Sequence, residues 1–137
     1  MCGIFGVITK GESKYRNRFL KKSLINLAKL SQTRGKDSSG LCTLNHLTNS
    51  FQILKGPISI NSLIKRKSFN NHLNHIFSKE HNEKFKIAFG HARLVTNGTQ
   101  LDSNNNQPIL KNEIICVHNG IIVNADELWK KNRDLIR

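Results

Sequence analysis

The stretch MCGIFGVITK, residues 1–10, decides the fold prediction, because an apolar run follows directly on a cysteine near the start of the chain. The run is only a few residues long, which predicts a short buried strand from Gly3 to Ile8. Gly11 ends the run. No basic leader precedes the apolar residues, so the stretch is not expected to be an export signal.

Three helical segments are predicted further along the chain. Apolar residues that recur at three- and four-residue steps predict a helix over residues 15–31. Residues 60–80 are expected to be helical but irregular, with the character of an insertion or a surface segment. The last helix is expected to begin with Asn124 as its N-cap, and Glu127 follows three residues later in a capping-box arrangement.

Shorter apolar runs predict further strands, at residues 51–54, 85–89 and 113–117. The strand at residues 113–117 is expected to be buried. Short turns and irregularly placed helices separate the strands, which favours an α+β fold with antiparallel sheets over a doubly wound parallel sheet. No repeat or flexible linker interrupts the chain, so residues 1–137 are expected to form one domain.

The chain is strongly basic, with 22 Lys and Arg residues against 9 Asp and Glu residues and a formal net charge of +13. This excess raises the hypothesis of a basic nucleic-acid-binding module, for which residues 10–22 are the densest segment. Only 7% of the residues are aromatic, which leaves few candidates for base stacking. Nucleic-acid binding is therefore kept as an alternative and is not the expected function.

Three cysteines, Cys2, Cys42 and Cys116, form no C-x-x-C pair, and their odd number favours a reducing, cytoplasmic setting. No apolar stretch approaches the roughly 20 residues of a membrane helix, so no membrane association is expected. His72 and His75 have helical spacing but lack further ligands at convincing distances, so no metal site is expected.

Cys2 has the position of a nucleophile. Removal of Met1 before a small second residue leaves a residue with both a thiol and a free α-amine, whose reference pKa is about 7.7–8.0. Such an amine can accept the proton of its own thiol, so one residue supplies nucleophile and base. The alternative interpretation is a small buried residue that opens a strand.

Other residues could complete such a site. Gly3 removes side-chain bulk beside Cys2, so that a substrate can approach closely. The Asn119 amide and the Gly120 N–H could bind an oxyanion, or the pair could be an ordinary hairpin turn. Arg93 follows a predicted strand and could hold a substrate carboxylate with two hydrogen bonds, or form a surface salt bridge.

Five short motifs follow one another along the chain in this order: MCGIFG, RGKDSSG, GHARLVTNG, NNQPI and HNGIIVN. Together they resemble the class II glutamine amidotransferases, and the resemblance runs from Met1 to about Trp129. It implies the fold of the N-terminal-nucleophile hydrolases, an αββα sandwich of antiparallel sheets. It also implies an enzyme that hydrolyses the side-chain amide of L-glutamine.

The resemblance assigns the chemistry residue by residue. Cys2 attacks the amide, and Asn119 and Gly120 hold the tetrahedral oxyanion. Ammonia leaves, and water hydrolyses the glutamyl thioester without a cofactor. The glutamine pocket is implied to hold the α-carboxylate on Arg93 and to be lined by Thr96 and Asn97.

The supporting residues implied by the resemblance are Gly3, Arg34, His91 and His118. Arg34 belongs to the segment that supports the nucleophile's end of the site. The two histidines are expected to order the backbone near the site rather than to act as bases. Asp37 is interpreted as a structural residue.

Within the family, the pattern around residues 91–98 and HNGIIVN looks most like the glucosamine-6-phosphate synthase branch. That branch passes ammonia to a sugar phosphate on a sugar-isomerase domain, so a sugar phosphate is the favoured acceptor. Asn97 stands where that branch commonly has His. Amidotransferases of the asparagine synthetase or amidophosphoribosyltransferase type are the alternatives.

The family also has an Asp in a later Ser-Asp-Thr type motif, and no such motif precedes Arg137. The chain is therefore expected to be an amino-terminal piece of a longer protein, with the fold incomplete at its C-terminus. An acceptor domain is the expected partner, and the intact protein could form a homodimer. An inactive or truncated copy of the family is a further alternative.

Overall fold

The computed structural model describes residues 2–10, 15–45, 49–78, 85–96 and 98–135. Its helices and strands alternate irregularly along the chain. In order they are β1 (Gly3–Lys10), α1 (Asn17–Ser31), β2 (Ser38–Asn45), β3 (Ser50–Gly56), α2 (Ile60–Ile64), α3 (Lys67–Ile76), β4 (Phe85–Arg93), β5 (Ile109–Lys111), β6 (Ile114–Cys116) and α4 (Ala125–Lys131). Two single 3-10 turns, Gln32–Arg34 and Ser103–Asn105, lie between them.

Four strands form one antiparallel sheet in the order β1-β4-β2-β3. The sheet brings the first strand beside a strand that lies more than 80 residues later, with Gly3 opposite Ala92. The strands predicted at residues 3–8, 51–54 and 85–89 are confirmed, and each is longer than its apolar run. Together with the helices, the sheet confirms the α+β prediction.

Three helices cover one face of this sheet and form the core with it. Side chains that alternate on that face, including Phe5, Leu41 and Ala88, are buried in the same cluster as Leu24 of α1 and Phe69 of α3. The helix α1 buries a stripe at four-residue steps, from Leu20 through Leu24 to Ala28. The helix predicted over residues 15–31 is therefore confirmed, with its first turn beginning at Asn17.

The other face of β1 is open, so the prediction of a fully buried strand is wrong. Ile4 is 49% exposed and Ile8 is 70% exposed, whereas Phe5 between them is buried. Successive side chains of a strand point to opposite faces, and the helices pack on only one face of this sheet. An unbroken apolar run cannot by itself distinguish these two environments.

The segment expected to be an insertion or surface segment contributes to the core. Phe69, Leu73 and Ile76 recur at four- and three-residue steps on α3, and all three are buried. Ile60 and Leu63 of α2 are buried beside them. The expectation of surface character is wrong because the apolar residues of two short helices share one face despite the many Asn and His residues between them.

The strand predicted at residues 113–117 is half of an exposed hairpin. β6 pairs with β5 across Asn112 and Glu113, which both have positive φ, at 49° and 64°. This backbone is typical of a two-residue hairpin turn. Ile114 and Cys116 are exposed, so the expectation of burial is wrong.

The last helix, α4, begins after Asn124 as predicted, but no side-chain hydrogen bond caps it. The predicted capping box is therefore present in sequence and absent as a hydrogen-bonded structure.

No helix in the described ranges has the length and apolar character needed to cross a bilayer.

The packing of α1 predicts a contrast between two leucines. Leu24 is 0% exposed and Leu30 is 66% exposed. Leu24→Ala should lower the free energy of unfolding by about 2–5 kcal/mol, because it removes buried methyl groups and leaves a cavity. Leu30→Ala, the matched control in the same helix, should change it by at most about 0.5 kcal/mol. Urea denaturation measures both, and equal losses would contradict the packing.

Candidate active site

Cys2 and Asn119 are joined by two hydrogen bonds although they lie 117 residues apart in the chain. The Cys2 backbone N–H donates to Oδ1 of Asn119 at 3.1 Å. The Asn119 Nδ2 donates in turn to the Cys2 carbonyl at 2.8 Å. One side-chain amide thus holds both backbone polar groups of the residue predicted to be the nucleophile.

The thiol of Cys2 points at the loop that follows β4. Its Sγ lies 3.6 Å from the Leu94 carbonyl oxygen. Asp37 holds this loop, since its carboxylate accepts from the Val95 N–H at 2.7 Å and its own N–H donates to the Arg93 carbonyl at 3.0 Å. These bonds are in keeping with a structural role for Asp37.

A cavity of about 450 Å³ opens beside Cys2. This volume lies within the range of about 300–1,000 Å³ that is usual for small-molecule sites. The structure brings four of the predicted site residues together around it: Cys2, Gly3, Arg34 and Asn119. Its other lining residues come from β1 and the end of α1: Ile4, Phe5, Leu27, Leu30 and Ser31.

The structure gives a different reason for glycine at position 3 from the one expected. A Cβ atom on Gly3 would lie 2.7 Å from both the Cβ and the carbonyl oxygen of Ser31. The missing side chain therefore allows β1 to approach α1 closely. The space in the Cβ direction is filled by the helix, so it does not provide room for a substrate.

Arg93 ends β4 and is buried, with 8% of its surface exposed. Its Nη1 donates to Oδ1 of Asn106 at 3.4 Å. The alternative of a surface salt bridge is wrong because the side chain is not at the surface. Since Gly3 pairs with Ala92, continuing the register by one residue sets Cys2 opposite Arg93.

The remaining predicted pocket residues are less closely tied to this cluster. Thr96 is exposed in the loop after β4, and Asn97 lies outside the described residues. Asn119 and Gly120 do not form a hairpin turn, because β6 ends at Cys116 and the next element is α4. The hairpin interpretation of this pair is therefore wrong.

His91 is completely buried in the sheet, whereas His118 is exposed. Among the described residues, neither ring nitrogen of His91 has a hydrogen-bond partner. Burial is the main cause that lowers the pKa of His91 to about 4; the backbone of His118 opposes this shift, and the charges of Arg93 and His118 add to it. His91 is therefore a neutral imidazole near neutral pH.

Comparison with curated proteins identifies several relatives of this chain. The chain is 34% identical over 131 residues to a protein of Wigglesworthia glossinidia brevipalpis, and the match covers 96% of this chain. It is 33% identical to a protein of Thermotoga maritima and 29% identical to one of Encephalitozoon cuniculi, each over 93% of this chain. All three relatives have the same name. The chain resembles the glutamine–fructose-6-phosphate aminotransferases.

The resemblance to glutamine amidotransferases predicted from the motifs is confirmed by these aminotransferases. They are much longer proteins, since the match covers 18% of each of the three. The chain thus spans about a fifth of the length of the curated relatives it matches. No family model matches the chain.

Two residues near the site carry no role in the sequence-based prediction. Asn106 contacts Arg93, and Gln107 forms hydrogen bonds with both backbone polar groups of His118. Both belong to the NNQPI motif that the chain shares with the amidotransferase pattern. A polar loop of Asn and Gln residues has no periodicity, so only that shared motif could have pointed to them.

Residues 11–14 of the basic segment lie outside the described residues, and residues 15–22 lie at the other end of α1 from the Cys2 cavity. Arg16, Arg18 and Lys21 line a separate cleft of about 810 Å³, together with residues from the end of α3. No group of three or more potential metal ligands occurs within the described part of the chain. The basic cleft is separate from the cavity beside Cys2.

Burial of His91 predicts a pH dependence of stability. The pKa of His91 is about 4 when folded, against 6.5 for an unperturbed histidine. As the pH falls below about 6.5, the unfolded chain takes up the proton first, so the stability contributed by neutral His91 declines until the pH nears 4. The free energy of unfolding should fall by up to about 1.4 kcal/mol per pH unit in this window. His91→Gln should reduce that slope, and an imidazole of His91 titrating near pH 6.5 by NMR would contradict the prediction.

Proposed function

We propose that this chain is a glutaminase domain in which Cys2 releases ammonia from the side-chain amide of L-glutamine. The observation that carries the proposal is the pair of hydrogen bonds between Cys2 and Asn119. They set the residue with a nucleophilic thiol beside an amide donor at the edge of a cavity. The similarity to glutamine–fructose-6-phosphate aminotransferases supports the same chemistry.

The proposed reaction requires that Met1 is removed. The nitrogen of Cys2 that donates to Asn119 Oδ1 would then be an α-amine, held by the same oxygen. This amine takes the thiol proton as the sulfur forms a bond to the side-chain carbonyl carbon of glutamine. The carbonyl electrons move to the oxygen, which becomes the oxyanion of a tetrahedral intermediate.

Asn119 and Gly120 stabilise that oxyanion in the proposal. The Nδ2 of an asparagine has two hydrogens, and one of those of Asn119 is already donated to the Cys2 carbonyl. The other can be donated to the oxyanion, together with the Gly120 backbone N–H. Removing one such donor typically lowers kcat by about 10²–10³-fold.

Collapse of the intermediate breaks the carbon–nitrogen bond. The protonated α-amine gives its proton to the leaving nitrogen, so that ammonia departs and a γ-glutamyl thioester remains on Cys2. Water then attacks the thioester with the α-amine as base, and glutamate leaves as the thiol is restored. The proposed cycle uses only the protein, glutamine and water, so it needs no cofactor.

Arg93 is the proposed partner of the glutamine α-carboxylate. Its guanidinium has five N–H donors, and Nη1 is directed at Asn106, which orients the guanidinium group. Burial strengthens such a charge-assisted contact because less water competes for it. Thr96 and Asn97 are proposed to line the same pocket, with Arg34, His91 and His118 as supporting residues.

The acceptor of the ammonia is proposed to be fructose 6-phosphate. The names of the curated relatives state this substrate for those proteins. Because the match covers about a fifth of them, we propose that a further domain of a longer chain binds the sugar phosphate. The cytoplasmic location and a homodimer of that longer protein remain predictions.

The proposed fold of the complete domain is the αββα sandwich. The four-stranded sheet with helices on one face supports one half of it. The open face of the sheet, with Ile4 and Ile8, supports a second layer there. Residues 1–137 would then form the amino-terminal part of that domain.

The first test of the proposal is selective modification of Cys2. A glutamine-analogue electrophile should add once to a chain that has lost Met1, and Cys2→Ala should abolish both the adduct and glutamine hydrolysis. Cys116→Ala is the matched control, because this exposed thiol lies in the separate hairpin and should leave both unchanged. Burial raises the pKa of Cys42 to about 12, so this thiol should not react.

Intact-mass spectrometry counts the adducts, and peptide mapping locates them. Loss of Met1 without an adduct or hydrolysis in the full chain would reject the glutaminase and favour an inactive copy. An adduct that persists in Cys2→Ala would exclude Cys2 as the nucleophile.

Arg93→Lys gives a second test, directed at the substrate carboxylate. Lysine keeps the charge but cannot form the two parallel hydrogen bonds of a guanidinium. The KM for glutamine should rise about 10-fold or more, with a smaller change in kcat, since a lost carboxylate contact weakens ground-state and transition-state binding alike. Steady-state ammonia release measures both constants. An unchanged KM would remove Arg93 from the pocket.

A further inference from the structure

We propose that Asn106 and Gln107 are positioning residues, of which Asn106 orients the carboxylate-binding Arg93 and Gln107 holds the oxyanion-binding loop. This inference rests on the proposed glutaminase function and assigns it two residues without a role so far. The two residues are consecutive, yet their side chains bond different parts of the site, Arg93 and the backbone of His118. One short segment would therefore set the spacing between the two ends of the bound glutamine.

The Gln107 side chain pairs with His118 as a neighbouring strand would. Its Oε1 accepts from the His118 N–H at 2.5 Å, and its Nε2 donates to the His118 carbonyl at 3.0 Å. That carbonyl belongs to the peptide group whose nitrogen is the Asn119 N–H. The His118 N–H belongs to the preceding peptide group, so the two bonds fix the peptide groups on both sides of the His118 Cα. This limits rotation of the backbone that presents Asn119 and Gly120.

Asn106 is held on both ends of its amide. It is 1% exposed, and its Nδ2 donates to the Gln100 carbonyl at 2.7 Å. Its Oδ1 therefore faces the Nη1 of Arg93, 3.4 Å away. A buried amide with both ends bonded cannot rotate without leaving a buried polar group unsatisfied, which is costly.

The backbone that carries both residues lies on the face of the sheet opposite the helices, against β2 and β3. Lys55 of β3 donates from Nζ to the carbonyls of Asn106 at 2.8 Å and Pro108 at 3.2 Å. Burial lowers the pKa of Lys55, and the charge of Asp102 partly opposes this. A Cβ atom on Gly40 of β2 would lie only 2.2 Å from the Gln107 carbonyl oxygen, so the segment lies directly against the strand.

The resulting chain of contacts runs from the rigid sheet to both ends of the substrate. Positions at a site that are supported by packed secondary structure hold their geometry better than positions on free loops. Loss of Gln107 should affect groups that act in the transition state. Loss of Asn106 should affect the group that binds the substrate throughout.

The test separates kcat from KM in the full chain. Gln107→Ala should lower kcat about 10- to 100-fold with KM changed less than about threefold, as expected for loss of support to transition-state donors. Asn106→Ala should instead raise KM about 10-fold and change kcat little. Asn104→Ala is the matched control, because this exposed residue of the same loop makes no side-chain contact with the described part of the site, and both constants should stay as in wild type.

Gln107→Glu separates the effects of the two hydrogen bonds between Gln107 and His118, which together form the Gln107 clamp. A carboxylate can still accept from the His118 N–H but cannot donate to the His118 carbonyl. This variant should retain a kcat between those of wild type and Gln107→Ala. The inference would be overturned if Asn106→Ala and Gln107→Ala changed kcat and KM in the same proportions, or if Gln107→Ala changed only KM.

Amide hydrogen exchange provides a readout that does not depend on turnover. Gln107→Ala should speed exchange at residues 118–120 about 10-fold, while Asn104→Ala leaves it unchanged. Unchanged exchange in Gln107→Ala would overturn the clamp even in an active enzyme. A wild-type chain that hydrolyses no glutamine would reject the proposed function, and the exchange rates would still decide whether Gln107 holds this loop.

Discussion

The antiparallel pairing of β1 with β4 is the constraint on which the rest of the structure depends. Side chains alternate along a strand, so a slip of one residue would exchange the two faces of β1. With Gly3 opposite Ala92, Phe5 enters the core and Cys2 comes beside the end of β4. The same register thus determines both how β1 packs and where the proposed nucleophile lies.

The two faces of the sheet serve different purposes. Helices α1, α2 and α3 form the apolar core with one face, and this packing supplies the main stabilisation of the described fold. The polar contacts of Lys55, Arg93 and Asn106 lie on the other face. Because these contacts are hydrogen bonds between specific partners, they determine geometry more than they determine stability.

Local sequence patterns predict where the helices and strands lie better than they predict which side chains are buried. The periodicity of residues 15–31 predicts α1 because its apolar stripe recurs at helical steps. The exposure of Ile4 and Ile8 could not be predicted, because it depends on which face the helices cover. In α3, the buried Phe69, Leu73 and Ile76 are obscured by intervening Asn and His residues.

The candidate site shows the same limit. Cys2 and Asn119 could be predicted from their motifs, and the structure brings them into contact. The motif NNQPI contains Gln107, but its contact with His118 could not be predicted, because the contact joins two irregular segments that only the folded chain brings together. The burial of His91 likewise depends on the packing of whole strands around it.

The close approach of Gly40 to the Gln107 carbonyl limits which residues can stand at position 40. Any larger residue there would meet the Gln107 carbonyl and push the polar segment away from the sheet. The helices and their core lie on the opposite face, so much of the protein could still fold and accumulate. Under the proposed function, an allele altered at this codon would lose glutaminase activity while its product remained abundant, and screens that score only protein levels would pass it as wild type.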